Sequence, residues 1–167
     1  MKRYDTRYRY DVKKHKEQGW RNEHKAGGFR CSHCRQFVVI NDIMGTANRN
    51  HCNSCLWSKH VDEDKGDRRS DCHGGMRPVG MTFKNEGYGR QGEIMLVHSC
   101  VICSKLSINR IARDDYDHKV VDVFELSITN DTYSNVDCAS AGIRLMSRDD
   151  TDELHAQLYG RQEKCQM

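Results

Sequence analysis

The chain has 167 residues, 31% of them charged and 37% hydrophobic, with nine cysteines and a formal net charge of +3. That leaves room for one domain with a small appendage, on a core so thin that bound metal is expected to supply part of the folding energy. The longest purely apolar runs, residues 37–40 and 94–97, are far too short to span a membrane. No apolar segment follows residues 1–5, so no signal peptide is expected, and a reducing, cytoplasmic location follows.

Residues 1–28 carry nine Lys/Arg against four Asp/Glu, and Tyr4, Tyr8, Tyr10 and Trp20 are interleaved with the basic positions. Basic side chains neutralise phosphates and aromatic faces stack on unpaired bases. Arg7, Arg9, Lys13, Lys14, Tyr8 and Trp20 are therefore candidates for contact with RNA, against the plainer reading of a solvated terminal arm. Gly27 and Gly28 mark a hinge into the cysteine-rich region.

From Phe29 the pattern reads strand, knuckle, strand. Cys31 and Cys34 form the first C-x-x-C, and residues 37–40 are β-forming. Cys52 and Cys55 form a second knuckle, and Cys34 and Cys52 lie far enough apart for a hairpin to bring the two together. Residues 62–69 form a charged loop that misses the calcium-loop spacing and reads as a solvated loop or one pairing its own acids and arginines. Cys72 and Gly74 sit in a tight turn, and a strand over residues 76–83 is expected to be interrupted at Pro78, hence at a sheet edge. Residues 94–98 form the strongest strand pattern, leading into a third knuckle, Cys100 and Cys103, with a return strand over 106–110.

Beyond Asp114-Asp115 the chain turns acidic, with five Lys/Arg against twelve Asp/Glu over residues 114–167. Val120, Val121, Phe124 and Ile128 fit one helical face, although their β-branched content also allows a strand. Ser147 and Asp150 form a capping box ahead of a helix over about 148–160, with Leu154 and Leu158 one turn apart. Cys138 and Cys165 have no pairing spacing and read as lone thiols.

Arg49-Asn50-His51-Cys52 resembles the signature of the RNHCP-domain family. The resemblance runs over residues 29–115, through Leu56, Trp57, Ser58, His60-Val61-Asp62, Gly66-Asp67-Arg68, Cys72, Gly74 and Met76-Arg77-Pro78-Val79-Gly80. It continues with His98, Cys100, Cys103, Asn109-Arg110 and Asp114-Asp115. Asn53 departs from the Pro of the family name, and Ser104 stands where a Gly usually follows the last knuckle. Both departures concern turn chemistry rather than metal ligands. The resemblance implies a zinc fold and leaves the activity open.

Two Zn²⁺ per chain use the ligands best. Cys31, Cys34, Cys52 and Cys55 make one closed tetrahedral set, and His60, Cys72, Cys100 and Cys103 a second. A cross-braced pairing of the same residues stays open from sequence order, and His98 rivals His60 for the second set. His51 is expected to hydrogen-bond a loop carbonyl or to meet a phosphate or base, and His33 and His73 to be exposed. The expected fold is a small α+β zinc-ribbon-like domain over 29–115, with short antiparallel strands around two zinc sites. An arm (1–28) precedes it and an acidic, partly helical extension (116–167) follows.

A basic front half suggests a polyanion partner. The favoured function is non-enzymatic binding of structured RNA, on or near the ribosome, with Arg49, Arg68 and Arg69 as core contacts. The alternatives are a protein–protein adaptor using the acidic half, and a metal-dependent nuclease resting on His51, His60 and Asp62.

Overall fold

The computed structural model describes residues 27–40, 49–86, 91–129 and 138–160. The arm candidates Arg7, Tyr8, Arg9, Lys13, Lys14 and Trp20 lie outside these residues, as do Cys165 and the turn expected after residue 40.

Two antiparallel sheets form. The first pairs β1 (Gly28–Arg30) with β2 (Phe37–Val39), Phe29 opposite Val38. The second orders four strands in sequence: β3 (Ser58–Lys59), β4 (Gly75–Asn85), β5 (Gln91–Cys100) and β6 (Leu106–Arg110). Its two central strands are 11 and 10 residues long, so the strands are not uniformly short. β4 runs through Pro78 instead of stopping there, with a register shift between Pro78 and Gly80. Proline is tolerated because β3 covers only Gly75 and Met76, so the missing N–H of Pro78 faces no neighbouring strand.

The exposed edge of β4 is then closed by chain from further on. The Met81 N–H donates to Ser127 Oγ at 2.7 Å, the Met146 N–H donates to the Met81 carbonyl at 2.8 Å, and Thr82 Oγ1 donates to the Arg144 carbonyl at 2.7 Å. Residues 144–146 thereby remove an edge that would otherwise be open to pairing with another chain.

Two helices follow, α1 (Asp117–Ile128) and α2 (Thr151–Tyr159), the second entered through a 3₁₀ turn at Arg148–Asp150. The Ser147 N–H donates to Asp150 Oδ2 at 2.8 Å, as the capping-box pattern requires. The buried face of α1 is Val120, Val123, Phe124 and Ser127, so Val123 takes the place expected of Val121. Positions 120, 123, 124 and 127 follow the three- and four-residue steps of a single stripe, and 121 falls off its side. With Leu154 they pack on Met81, Ile94 and Leu96 of the sheet and on Leu56. A smaller cluster of Val79, Val97 and Cys138 gathers Ile143 and Leu145, which makes Cys138 a buried packing residue. No helix among the described residues is long and apolar enough to cross a membrane.

Candidate metal centres

The three knuckles share one backbone design. In each, the first Cys N–H donates to the carbonyl five residues on: Cys31 to Gln36 and Cys100 to Lys105 at 2.8 and 2.9 Å, and Cys52 to Trp57 at 2.9 Å. The N–H four residues on returns to the first Cys carbonyl, from Arg35, Leu56 and Ser104. Those same three residues have left-handed backbone, with φ of 68°, 58° and 61°. The turn demands this to aim both thiols at one point, and a non-glycine residue there is strained. Ser104 thus occupies a position that favours glycine.

Site one gathers Cys31, Cys34, Cys52 and Cys55. Site two gathers His60, Cys72, Cys100 and Cys103. Within each site all four ligand atoms lie within 4.8 Å of one another. The Sγ–Sγ separations of Cys31–Cys55, Cys34–Cys52 and Cys72–Cys100 are each 3.6 Å. A tetrahedron with Zn–S bonds of about 2.3 Å has edges of about 3.8 Å, so the donors fit zinc. The pairing is the ribbon one; the cross-braced exchange is not formed.

Each site is closed by four protein ligands, the arrangement of structural zinc. The chain is a zinc-binding protein with two sites. Bound zinc holds the thiols deprotonated and cross-links the segments that carry them.

The crowding of the thiols favours a bound metal. Without it, hydrogen bonds from Cys52 and Cys55 pull the Cys31 thiol far below its ordinary range, and the same sharing pushes Cys52 up to about 11 and Cys55 higher still. At site two, burial pushes Cys72 up to about 11. Burial also opposes ionisation of Cys100, but the backbone N–H groups of Cys103 and Ile102 outweigh it and lower its pKa. A divalent cation resolves this competition by favouring every thiolate at once.

His60, not His98, completes site two. Nδ1 of His60 lies 3.3 Å from Cys103 Sγ. Burial, then the charge of Lys105, lowers the pKa of His60, which favours the neutral imidazole a metal requires. Its Nε2 is buried with no hydrogen-bond partner among the described residues. Gly74 is forced by the same site, because a Cβ there would stand 2.7 Å from Cys100 Sγ.

His98 is fully buried and spent elsewhere. Its Nε2–H donates to the Leu56 carbonyl at 2.7 Å, and Asn109 Nδ2 donates to its Nδ1 at 3.0 Å. Burial holds it neutral, with a pKa of about 4. Leu56 is the left-handed residue closing knuckle two, so His98 braces site one from β5.

The family-signature residues make a second brace. Arg49 is only 2% exposed. Its Nη1 and Nη2 reach Asp114 Oδ1 and Asp115 Oδ1, each at 2.5 Å, and its Nε donates to the His51 carbonyl at 3.0 Å. His51 Nε2 meets Asp115 Oδ2 at 2.8 Å, and the Ala112 N–H donates to that same oxygen at 2.8 Å. The Tyr116 N–H donates to the Asn53 carbonyl at 3.0 Å, a third tie to knuckle two.

Two expectations are corrected by this cluster. Arg49 is not a phosphate contact, because its fork is consumed by two carboxylates inside the protein. His51 bonds a carboxylate rather than a loop carbonyl, and at 2% exposure it meets no base. Among the remaining residues, Arg69 is exposed, while Arg68 is half-buried with Nε 3.7 Å from Asp62. The charged loop is self-paired: Asp62 Oδ1 accepts the Arg68 N–H at 2.9 Å, and Asp67 Oδ1 accepts those of Glu63 and Arg69 at 2.9 and 3.0 Å. His33 is exposed, whereas His73 is half-buried.

The sequence model of the RNHCP domain matches residues 26–121. No curated protein and no solved structure matches the chain.

Proposed function

The chain belongs to the RNHCP-domain family, and from that premise we propose that it is a zinc-ordered protein that binds structured RNA, on or near the ribosome, without catalysing a reaction. The observation that carries this reading is the division of charge. Residues 1–28 are net +5 and residues 29–113 net +5 again, while residues 114–167 are net −7. A basic front half that carries two zinc sites within residues 29–113 suits a polyanionic partner.

The residues that a nuclease would need are otherwise engaged. His51 is buried against Asp115, His60 is a ligand of a closed site, and Asp62 accepts a backbone N–H of its own loop. This supports a binding role, since hydrolysis by a metal needs an open coordination position.

The test is binding of the zinc-loaded chain to a structured RNA across a salt series. Deleting residues 1–26 is expected to weaken binding and leave zinc content unchanged. Neutralising any one of Arg7, Arg9, Lys13 and Lys14 that meets a phosphate should flatten the log–log salt slope by about 0.7 to 0.9. Replacing Tyr8 or Trp20 should cost about 1–3 kcal/mol with little change in slope. Equal, weak binding by truncated and full chains at about 150 mM salt would end the RNA reading. The adaptor role would then lead, on the exposed Leu126 and Tyr159 of the acidic half.

A further inference from the structure

We infer that an unpaired stretch of RNA docks across the tips of both zinc sites, with a base stacked on the His33–Trp57 ring pair and its phosphates met by Arg35 and Arg77. This rests on the proposed RNA binding and assigns it a surface within the described residues, separate from the arm.

The rings of His33, from knuckle one, and Trp57, which closes knuckle two, are stacked with centroids 4.2 Å apart and planes 5° apart. His33 is exposed, which leaves its ring within reach of a third planar group. The platform continues toward site two. Gly75 lies beside the Trp57 ring, and a Cβ there would stand 3.3 Å from the ring and 3.9 Å from Val101. The Val101 N–H donates to the Gly75 carbonyl at 3.0 Å, and Ile102 next to it is 70% exposed. A chain of neighbouring residues, His33, Trp57, Gly75 and Val101, thus links knuckle one to knuckle three, with glycine near its centre.

Its charge is positive. Met76 is buried, so its neighbours Gly75 and Arg77 share the opposite, outward side of β4. Lys59 is the cross-strand partner of Gly75. Arg35 follows the first knuckle directly. Neither Arg35 nor Arg77 pairs with a carboxylate among the described residues, whereas Arg49, Arg68, Arg110 and Arg144 all do. Stacked rings beside unneutralised guanidinium groups are the combination that single strands use: π-faces for bases and cations for the backbone. A surface made for an apolar protein segment would have no use for the two uncompensated charges.

The experiment uses the full, zinc-loaded chain and two RNAs, a hairpin with an unpaired loop and a blunt duplex, followed by fluorescence anisotropy. His33→Ala is expected to weaken loop binding roughly five- to 150-fold, with the salt slope unchanged. His33→Phe should restore it, which a charge role for the histidine would not produce. Arg77→Gln should flatten the slope by about 0.7. Duplex binding should move little in the ring variants, and zinc content should stay at two in all of them.

Loop binding untouched by His33→Ala and Arg77→Gln, yet lost on deleting residues 1–26, would overturn this surface and leave the RNA reading standing. Absence of RNA binding by the unmodified chain would remove both. Equal loss of duplex and loop binding in His33→Ala would also overturn it, since stacking on an unpaired base would not be the cause.

Discussion

Site one joins pieces of chain that share no backbone ladder, whereas site two sits at the ends of strands already paired to one another. The β1–β2 hairpin is a sheet of its own, and the cluster beneath it is Phe29, Cys31, Val38 and Cys52, two of which are ligands. The His33–Trp57 stack adds a further tie to the body. At site two, Cys100 ends β5, Cys72 and His60 flank β3 and β4, and Cys103 opens the turn into β6. The difference shows that one metal chemistry serves two ends: at site one zinc is the main attachment of a segment, and at site two it pins the corner of a sheet that hydrogen bonds and a core already hold.

The sharpest way to break that comparison is to remove one exposed ligand from each site. Cys34→Ser should release one zinc and free the hairpin. Hydrogen exchange at the Cys31, Arg35 and Ile40 N–H groups should then rise by more than about 100-fold, because structural zinc contributes roughly 10 kcal/mol or more of apparent binding energy. Cys103→Ser should also release one zinc, but protection across the β4–β5 ladder should persist and only the turn at Val101 and Ser104 should open. Equal collapse of both regions in both variants would show that the sites are energetically one.

Next in size is Arg49, which anchors knuckle two to the corner between β6 and α1. Arg49→Met leaves the buried Asp115 without its cation and should cost about 3–5 kcal/mol, read from denaturant midpoints. Arg49→Lys should recover only part, since an ammonium cannot span two carboxylates as the fork does. Both variants should still hold two zinc ions when folded. His98→Ala should cost less, about 1–3 kcal/mol, chiefly from the orphaned Leu56 carbonyl, and should leave both zinc ions bound.

The smallest effect is expected at Ser104. Ser104→Gly removes a left-handed penalty of about 1–2 kcal/mol, offset in part by the freedom glycine adds to the unfolded chain. The net should be a stabilisation of about 0.5–1 kcal/mol, local to site two.

These residues also show where sequence reading succeeds and where it stops. Knuckles are legible because C-x-x-C geometry is local: the spacing dictates the turn, and the structure brings the eight expected ligand residues into two groups. The return strand over 106–110 and the capped helix after Ser147 were readable for the same reason. Arg49 was not, because its meaning lies in Asp114 and Asp115, some 65 positions away, and an arginine beside a knuckle looks the same whether it faces phosphate or carboxylate. His60 and His98 could be ranked but not separated, since the choice depends on which ring nitrogen finds Leu56 and Asn109. The continuity of β4 through Pro78 depended on β3 being two residues long, a property of the sheet rather than of the proline.

The central claim is that two zinc ions, bound by separate ligand sets, hold this fold. Native mass spectrometry with elemental analysis of the purified chain tests it most directly. Two zinc ions per unmodified chain, one in Cys34→Ser, one in Cys72→Ser and two in His98→Ala is the predicted result; one or none in the unmodified chain, or loss of zinc in His98→Ala but not in His60→Ala, would contradict it.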